Sequence, residues 1–262
     1  MPATKAIGVA CICAAGWVSV PAAASEEDFG PADVLTDTRL YFTAPLRWDL
    51  QDWFRVGEVA AVVALSHALD KPTRNHFAGK NPALSGKDTH STRDAIPAAA
   101  VTAGTWLFAE FEGERAGRIE AYTMLEAAAL SSITAEGFKF AAGRQRPNET
   151  LDSNAWRKGG NSFPSLHATA AFAIGTVLAE SGGDDYRWLR RFLGYGMASA
   201  TVYLRLKDNQ HWLSDTVAGG ALGIATAGFT LNRRQSRQQP WNLSVSPAPG
   251  GGVLLGLNVT LP

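Results

Sequence analysis

The stretch "RLKDNQHWLSD", residues 205–215, holds Arg205, His211 and Asp215. His211 and Asp215 are four positions apart, one helical turn, so the carboxylate can reach the imidazole. A hydrogen bond from Nδ1–H to that carboxylate would leave Nε2 with its lone pair outward, as a histidine nucleophile requires. The plainer reading is a surface pair at i, i+4, worth roughly a few tenths of a kcal/mol.

Two earlier stretches carry related chemistry. In "KFAAGRQRP", Lys139 and Arg146 are seven apart and would share one helical face. Pro147 is expected to end that helix, because the residue before a proline is pushed out of α geometry. Arg144 falls off the stripe and reads as a rim cation. The pair could bind an anion or simply complement the helix dipole in solvent. In "NSFPSLHATAAF", Pro164 and Ser165 precede an apolar run, placing Ser165 near an N-cap and His167 in the first turn. Unpaired N–H groups at such a start form a ready anion site. The alternative is an ordinary cap beside a surface histidine.

Read together, the stretches give K-x6-R-P, P-S-x-H and R-x5-H-x3-D, in a chain with five histidines. This order and spacing resembles the PAP2 superfamily, the type 2 phosphatidic acid phosphatases, which includes bacterial class A acid phosphatases and vanadium haloperoxidases. The resemblance covers most of the chain between about residues 50 and 232. It implies that Lys139, Arg146 and Arg205 surround a transferring phosphoryl group, joined by Ser165 and the backbone amide of Leu166. It further implies that His211 attacks phosphorus to form a phosphohistidine, with Asp215 fixing its tautomer. His167 would protonate the leaving alkoxide and then deprotonate the hydrolytic water. Two positions depart from the family pattern. Leu166 stands where the family has glycine, which narrows the site, and Leu204 stands where it has serine, which removes a polar contact.

Helices must position these groups. Six apolar, alanine-rich stretches of helical length lie between about residues 52 and 234, separated by Gly, Pro, Asn and Asp clusters. They predict an all-α bundle of about six core helices, with small residues at close helix contacts. The alternating runs in "WNLSVSPAPGGGVLLGLNVTLP" predict a short C-terminal β-hairpin. Polar residues within the stretches (Glu58, His67, Glu126) and a slightly negative mean hydropathy favour a soluble or peripherally membrane-associated bundle.

The first residues, with Lys5, a short apolar run and Ala22-Ala23-Ala24, read as a cleavable secretory signal. The expected organisation is a signal at 1–24, a helical domain at 25–235 and a tail at 236–262. Both cysteines, Cys11 and Cys13, lie in the leader, so the mature chain would fold in an oxidising, periplasmic setting without disulfides. Twenty-four basic residues balance twenty-four acidic ones, so no global field recruits nucleic acid. His67, His76 and His90 lack metal-ligand spacing and read as structural or exposed. Trp212 reads as packing, Glu136 as a solvated helix residue, and Arg157 and Lys158 as part of a solvated glycine-rich loop.

The expectation is an exported phosphatase without metal or other cofactor, acting on phosphate monoesters or pyrophosphates. Aromatic-rich "YFTAPLRWDLQDWF" points to a phosphorylated lipid as substrate and to peripheral membrane contact. A soluble phosphate ester is the alternative, followed by vanadium haloperoxidase chemistry and non-catalytic binding of lipid head groups. Three fixed cations can supply the charge a metal supplies elsewhere. Full turnover in excess chelator is therefore expected, and a strict magnesium requirement in that assay would contradict it.

Overall fold

The computed structural model describes residues 31–80, 84, 95–113, 115–182, 186–238, 241–248 and 252–259. The expected leader, with Cys11 and Cys13, and His90 lie outside them. From residue 31 to 238 the described chain is helical with connecting loops: α1 (Pro31–Thr43), α2 (Leu50–His67), α3 (Asp70–Ala78), α4 (Ile96–Glu112), α5 (Arg115–Ala142), α6 (Leu166–Glu180), α7 (Arg187–Lys207) and α8 (Leu213–Gln238). Eight α-helices among the described residues exceed the six expected. The additions are α1 and the short α3, whose polar sequence "DKPTRNHFA" has no apolar stripe to betray it. Beyond α8, β1 (Trp241–Ala248) and β2 (Gly252–Val259) pair antiparallel, Trp241 opposite Val259.

Local chemistry explains the helix ends that matter. Asp49 and Asp52 form a capping box at the start of α2, the Asp52 N–H donating to Asp49 at 2.9 Å. Gly113, in the left-handed region, closes α4. Gly143, at φ 53°, closes α5, so that helix stops at Ala142 rather than running on to Pro147. Arg146 consequently leaves the helical stripe that its spacing had it share with Lys139.

The central helix is α6, packed against α5, α7 and α8. Its core is built mostly from small side chains, Ala127, Ala173 and Ala227 with Met124, Ile174 and Val177. Small residues let backbones approach closely. A Cβ added at Gly175 would lie 2.5 Å from the carbonyl oxygen of Gly194, and one at Gly223 2.3 Å from that of Thr169. Ion pairs complete the frame, a buried one between Arg234 and Glu126 on α5 and a half-buried one between Arg233 and Asp37 on α1. Many large apolar side chains point outward instead, among them Leu46, Leu50, Phe54, Phe111, Phe140, Trp188 and Phe192. Among the described residues no helix is long and apolar enough to cross a membrane.

Gly175→Ala tests the close approach of α6 and α7. Alanine gains about 1 kcal/mol in helix propensity, but its methyl overlaps backbone that can yield only if two helices separate. Overpacking of this kind costs about 1–3 kcal/mol. A net loss of stability is expected in urea denaturation, and an unchanged or raised midpoint would show that the contact is soft.

Candidate active site

Four helix ends and one long loop assemble the site. Lys139 lies in the last turn of α5, buried, with its Nζ 3.3 Å from the largely exposed Glu136. The loop from 143 to 165 then folds back on itself. Gln145 N–H donates to the Ala155 carbonyl at 3.0 Å, Arg157 N–H to Ala142 at 2.9 Å, and Ser162 N–H to Arg144 at 2.9 Å. This folding buries Arg146. Its Nε donates to Asn161 Oδ1 at 2.8 Å and its Nη1 to Gln210 Oε1 at 3.0 Å. Arg157 and Lys158 stay exposed at the loop surface.

Ser165 is the N-cap of α6, as its sequence position suggests, yet its side chain makes no cap bond. The Oγ is buried and lacks a hydrogen-bond partner among the described residues. A buried hydroxyl left this way costs free energy unless something else completes it. Leu166 and His167 follow in the first turn, both half-buried. Ser165 N–H donates to the Asp215 carbonyl at 3.0 Å, which joins the start of α6 to the start of α8.

Arg205 is buried in the last turn of α7. Gln210 N–H donates to its carbonyl at 3.0 Å while the Gln210 side chain receives Arg146, and His211 is the next residue. Thus Arg146, Ser165, Arg205, His211 and Asp215, from all three sequence clusters, are drawn to one place. Lys139 and His167 sit on the helix ends that border it.

His211 and Asp215 do not share a helical turn as their spacing suggested, because α8 begins at Leu213 and His211 precedes it. Asp215 is instead the third residue of α8 and accepts from the Trp212 N–H at 2.9 Å, one half of a capping box. The same oxygen accepts from Ser162 Oγ at 2.5 Å, and the other from Arg144 Nη1 at 2.5 Å. His211 Nδ1 lies 3.7 Å from Asp215 Oδ2, an ion-pair separation longer than a hydrogen bond. That Nδ1 has no hydrogen-bond partner among the described residues.

The Arg144 reading is corrected most. It is not a rim cation; its side chain is fully buried. Because Gly143 ends the helix, Arg144 turns inward and donates to Asp70 and Asp215 as well as to Ser214 Oγ and the Ser153 carbonyl. Its guanidinium stacks 4.3 Å from the centre of the Trp156 ring and 5.4 Å from that of Trp212. Trp212 also donates its indole N–H to the Gln145 carbonyl at 2.9 Å. His67 touches this network, 2.7 Å from Asp70 and 2.8 Å from Asn154. His76 is exposed. Sequence reasoning missed Asp70, Ser162, Ser214 and Gln210. Only Arg144 carried a usable signal, the glycine before it as a helix stop. Among the described residues no group of three or more His, Cys, Asp and Glu side chains is placed to hold a metal ion.

Electrostatics follow from burial. Desolvation is the largest influence on His211 and lowers its pKa to about 4; Asp215 opposes this, while Arg146 and Arg205 add to it. The ring is therefore neutral at pH 7, the form that can act as a nucleophile. Burial pushes the Asp215 carboxyl up, but His211, Arg144 and Ser162 together outweigh it and hold it below its ordinary value. The signs for stability differ in window. The unfolded chain binds the His211 proton more tightly than the fold, so stability rises with pH between about 4 and 6.5 and is fully present above that. The Asp215 contribution is lost only at lower pH, as the carboxylate protonates. A urea midpoint that climbs across pH 4 to 6.5 in the wild type, and climbs less in His211→Asn, is the expected result. Parallel curves would contradict it.

A profile of the PAP2 superfamily matches residues 120–239. A lipid A 1-phosphatase of Porphyromonas gingivalis (strain ATCC 33277) is 37% identical over 86 residues, which cover 33% of this chain and 17% of that protein. The chain thus matches under a fifth of the length of that relative. No solved structure matches the chain. The matched segment, residues 120–239, contains Lys139, Arg146, Ser165, His167, Arg205, His211 and Asp215.

Proposed function

We propose that the chain is an exported, metal-independent phosphatase that hydrolyses phosphate monoesters or pyrophosphates of lipids through a phosphohistidine. The observation that carries this reading is the meeting of Arg146, Arg205 and the buried His211 around Gln210, beside the unpartnered Ser165 hydroxyl. Fixed cations and donors of this kind match the charge on the equatorial oxygens of a phosphoryl group in flight. Lys139 and the first amides of α6, Leu166 included, complete the cradle.

In the first step the lone pair of His211 Nε2 attacks phosphorus and the bond to the leaving oxygen breaks. His167 gives that oxygen its proton. Asp215 offsets the positive charge that develops on the His211 ring. In the second step His167 takes a proton from water, the water oxygen bonds phosphorus, and the phosphorus–nitrogen bond breaks to release phosphate.

Two observations favour a lipid. One relative that matches the chain is a lipid A 1-phosphatase. The helices also turn large apolar side chains outward, Phe54, Phe111 and Phe140 among them, which suits peripheral contact with a bilayer at the periplasmic face. Export rests on the leader at residues 1–24 and the proposed domain on residues 25–235.

Phosphate release from micellar phosphatidic acid, a polyprenyl pyrophosphate and a nucleotide, each with the His211→Ala variant as control, tests the proposal. The lipids should be the better substrates, and the variant should lose on the order of a hundredfold or more in turnover. A variant with near-normal rate would remove His211 from the mechanism. Preference for the nucleotide would reassign the substrate to the soluble esters.

A further inference from the structure

The network behind the carboxylate beside His211 reaches outside the segment that matches the superfamily. Asp70 opens α3, upstream of residue 120 where that match begins. Its Oδ2 receives Arg144 Nη2 at 2.6 Å and Ser214 Oγ at 2.8 Å, and its Oδ1 receives the Ser214 N–H at 2.8 Å. The Arg144 Nη1 reaches Asp215 Oδ1 at 2.5 Å. The side chains of Asp70, Arg144 and Asp215 are each 0% exposed. From the half-buried His67 through the buried Asp70, Arg144 and Asp215 to His211, basic and acidic groups therefore alternate in one row.

The freedom left to this row is small. All five N–H groups of Arg144 are committed, to Asp70, Asp215, Ser214 Oγ and the Ser153 carbonyl. Two indole rings flank its guanidinium. Asp215 in turn accepts from Arg144, Ser162 and the Trp212 N–H, so its carboxylate plane cannot turn without breaking one of them. Asp70 touches both sides of this arrangement. It anchors Arg144, and it satisfies an orphan N–H in the first turn of α8, the turn that carries Asp215. An unpaired buried guanidinium would be costly, so loss of the Asp70 charge must move Arg144, Asp215 or both.

We propose that Asp70 is a positioning residue for phosphoryl transfer: through Arg144 and Ser214 it sets the orientation of Asp215 toward His211, without touching the phosphate. The proposal rests on the reading of His211 as the nucleophile. A merely structural cap on α8 would affect folding and leave His211 indifferent.

Asp70→Asn in the full chain tests it, since asparagine keeps the volume and can still accept from Ser214 N–H but loses the charge that faces Arg144. Three readouts are needed: kcat on the best lipid substrate, inhibition by vanadate as a phosphoryl mimic, and the 15N resonances of the His211 ring. Turnover should fall on the order of 10- to 100-fold, the usual loss when the partner of an orienting group is removed. Vanadate inhibition should stay at its wild-type level, and the His211 resonances should move. A folded variant with wild-type kcat overturns the proposal. So does a parallel loss of kcat and vanadate affinity, which would make Asp70 a determinant of pocket shape. Should circular dichroism show Asp70→Asn unfolded, Ser214→Ala keeps every charge and gives the same pattern at smaller size; unmoved His211 resonances in that variant overturn the proposal. If the wild type hydrolyses no ester, the phosphatase reading fails by itself, and the ring resonances still report whether Asp70 governs His211.

Discussion

Arg144 sits between two carboxylates, Asp70 and Asp215, in a space closed to water. A charge in such a place is tolerated only when every donor finds an acceptor, and removing one partner of a buried pair costs about 3–5 kcal/mol. The surrounding chain is arranged to meet that requirement. Helix α3 must present Asp70, the first turn of α8 must present Asp215 and Ser214, and the 143–165 loop must bring the Ser153 carbonyl and the Trp156 ring. Segments far apart in sequence are thereby locked to one cation, and the loop that buries Arg146 is pinned by the same contact. His211 lies at the edge of this lock with an unsatisfied Nδ1. The arrangement is rigid behind the ring and has polar capacity to spare beside it, at Ser165 Oγ and at His211 itself.

Packing makes the lock possible. Alanine and glycine line the contacts of α6 with its neighbours, so backbone meets backbone, and the N-terminal ends of α6 and α8 come close enough for Ser165 N–H to reach the Asp215 carbonyl. Bulky residues at these contacts would hold the helices apart and separate the serine from the carboxylate. The consequence appears on the exterior. With small residues inside, the larger apolar side chains are turned outward.

The neutral state of His211 and the anionic state of Asp215 come from the same burial acting on unlike neighbours. Desolvation opposes charge on both. Arg144 and Ser162 hold the carboxylate charged, whereas Arg146 and Arg205 press the imidazole toward neutrality. Two titratable groups with environments that push them apart are the general means by which a site keeps a base and its electrostatic partner ready at one pH.

Much of this was legible in sequence. Six of the helices follow from apolar periodicity and turn residues, and the candidate residues Lys139, Arg146, Ser165, His167, Arg205, His211 and Asp215 are named by their order and spacing. Spacing failed where it assumed a helix: Gly143 ends α5 early and α8 starts after His211, so neither the Lys139–Arg146 stripe nor the His211–Asp215 turn exists as drawn. The α3 helix is short and polar overall, and nothing near Asp70 in sequence hints at a partner on α8. The chain alone, then, determined which side chains could do chemistry, because residue type and order are local facts. Which of them are buried, and that Asp70 and Arg144 stand behind Asp215, only the tertiary structure decided, because pairing between charges distant in sequence is set by how helices pack and leaves no periodic trace along the chain.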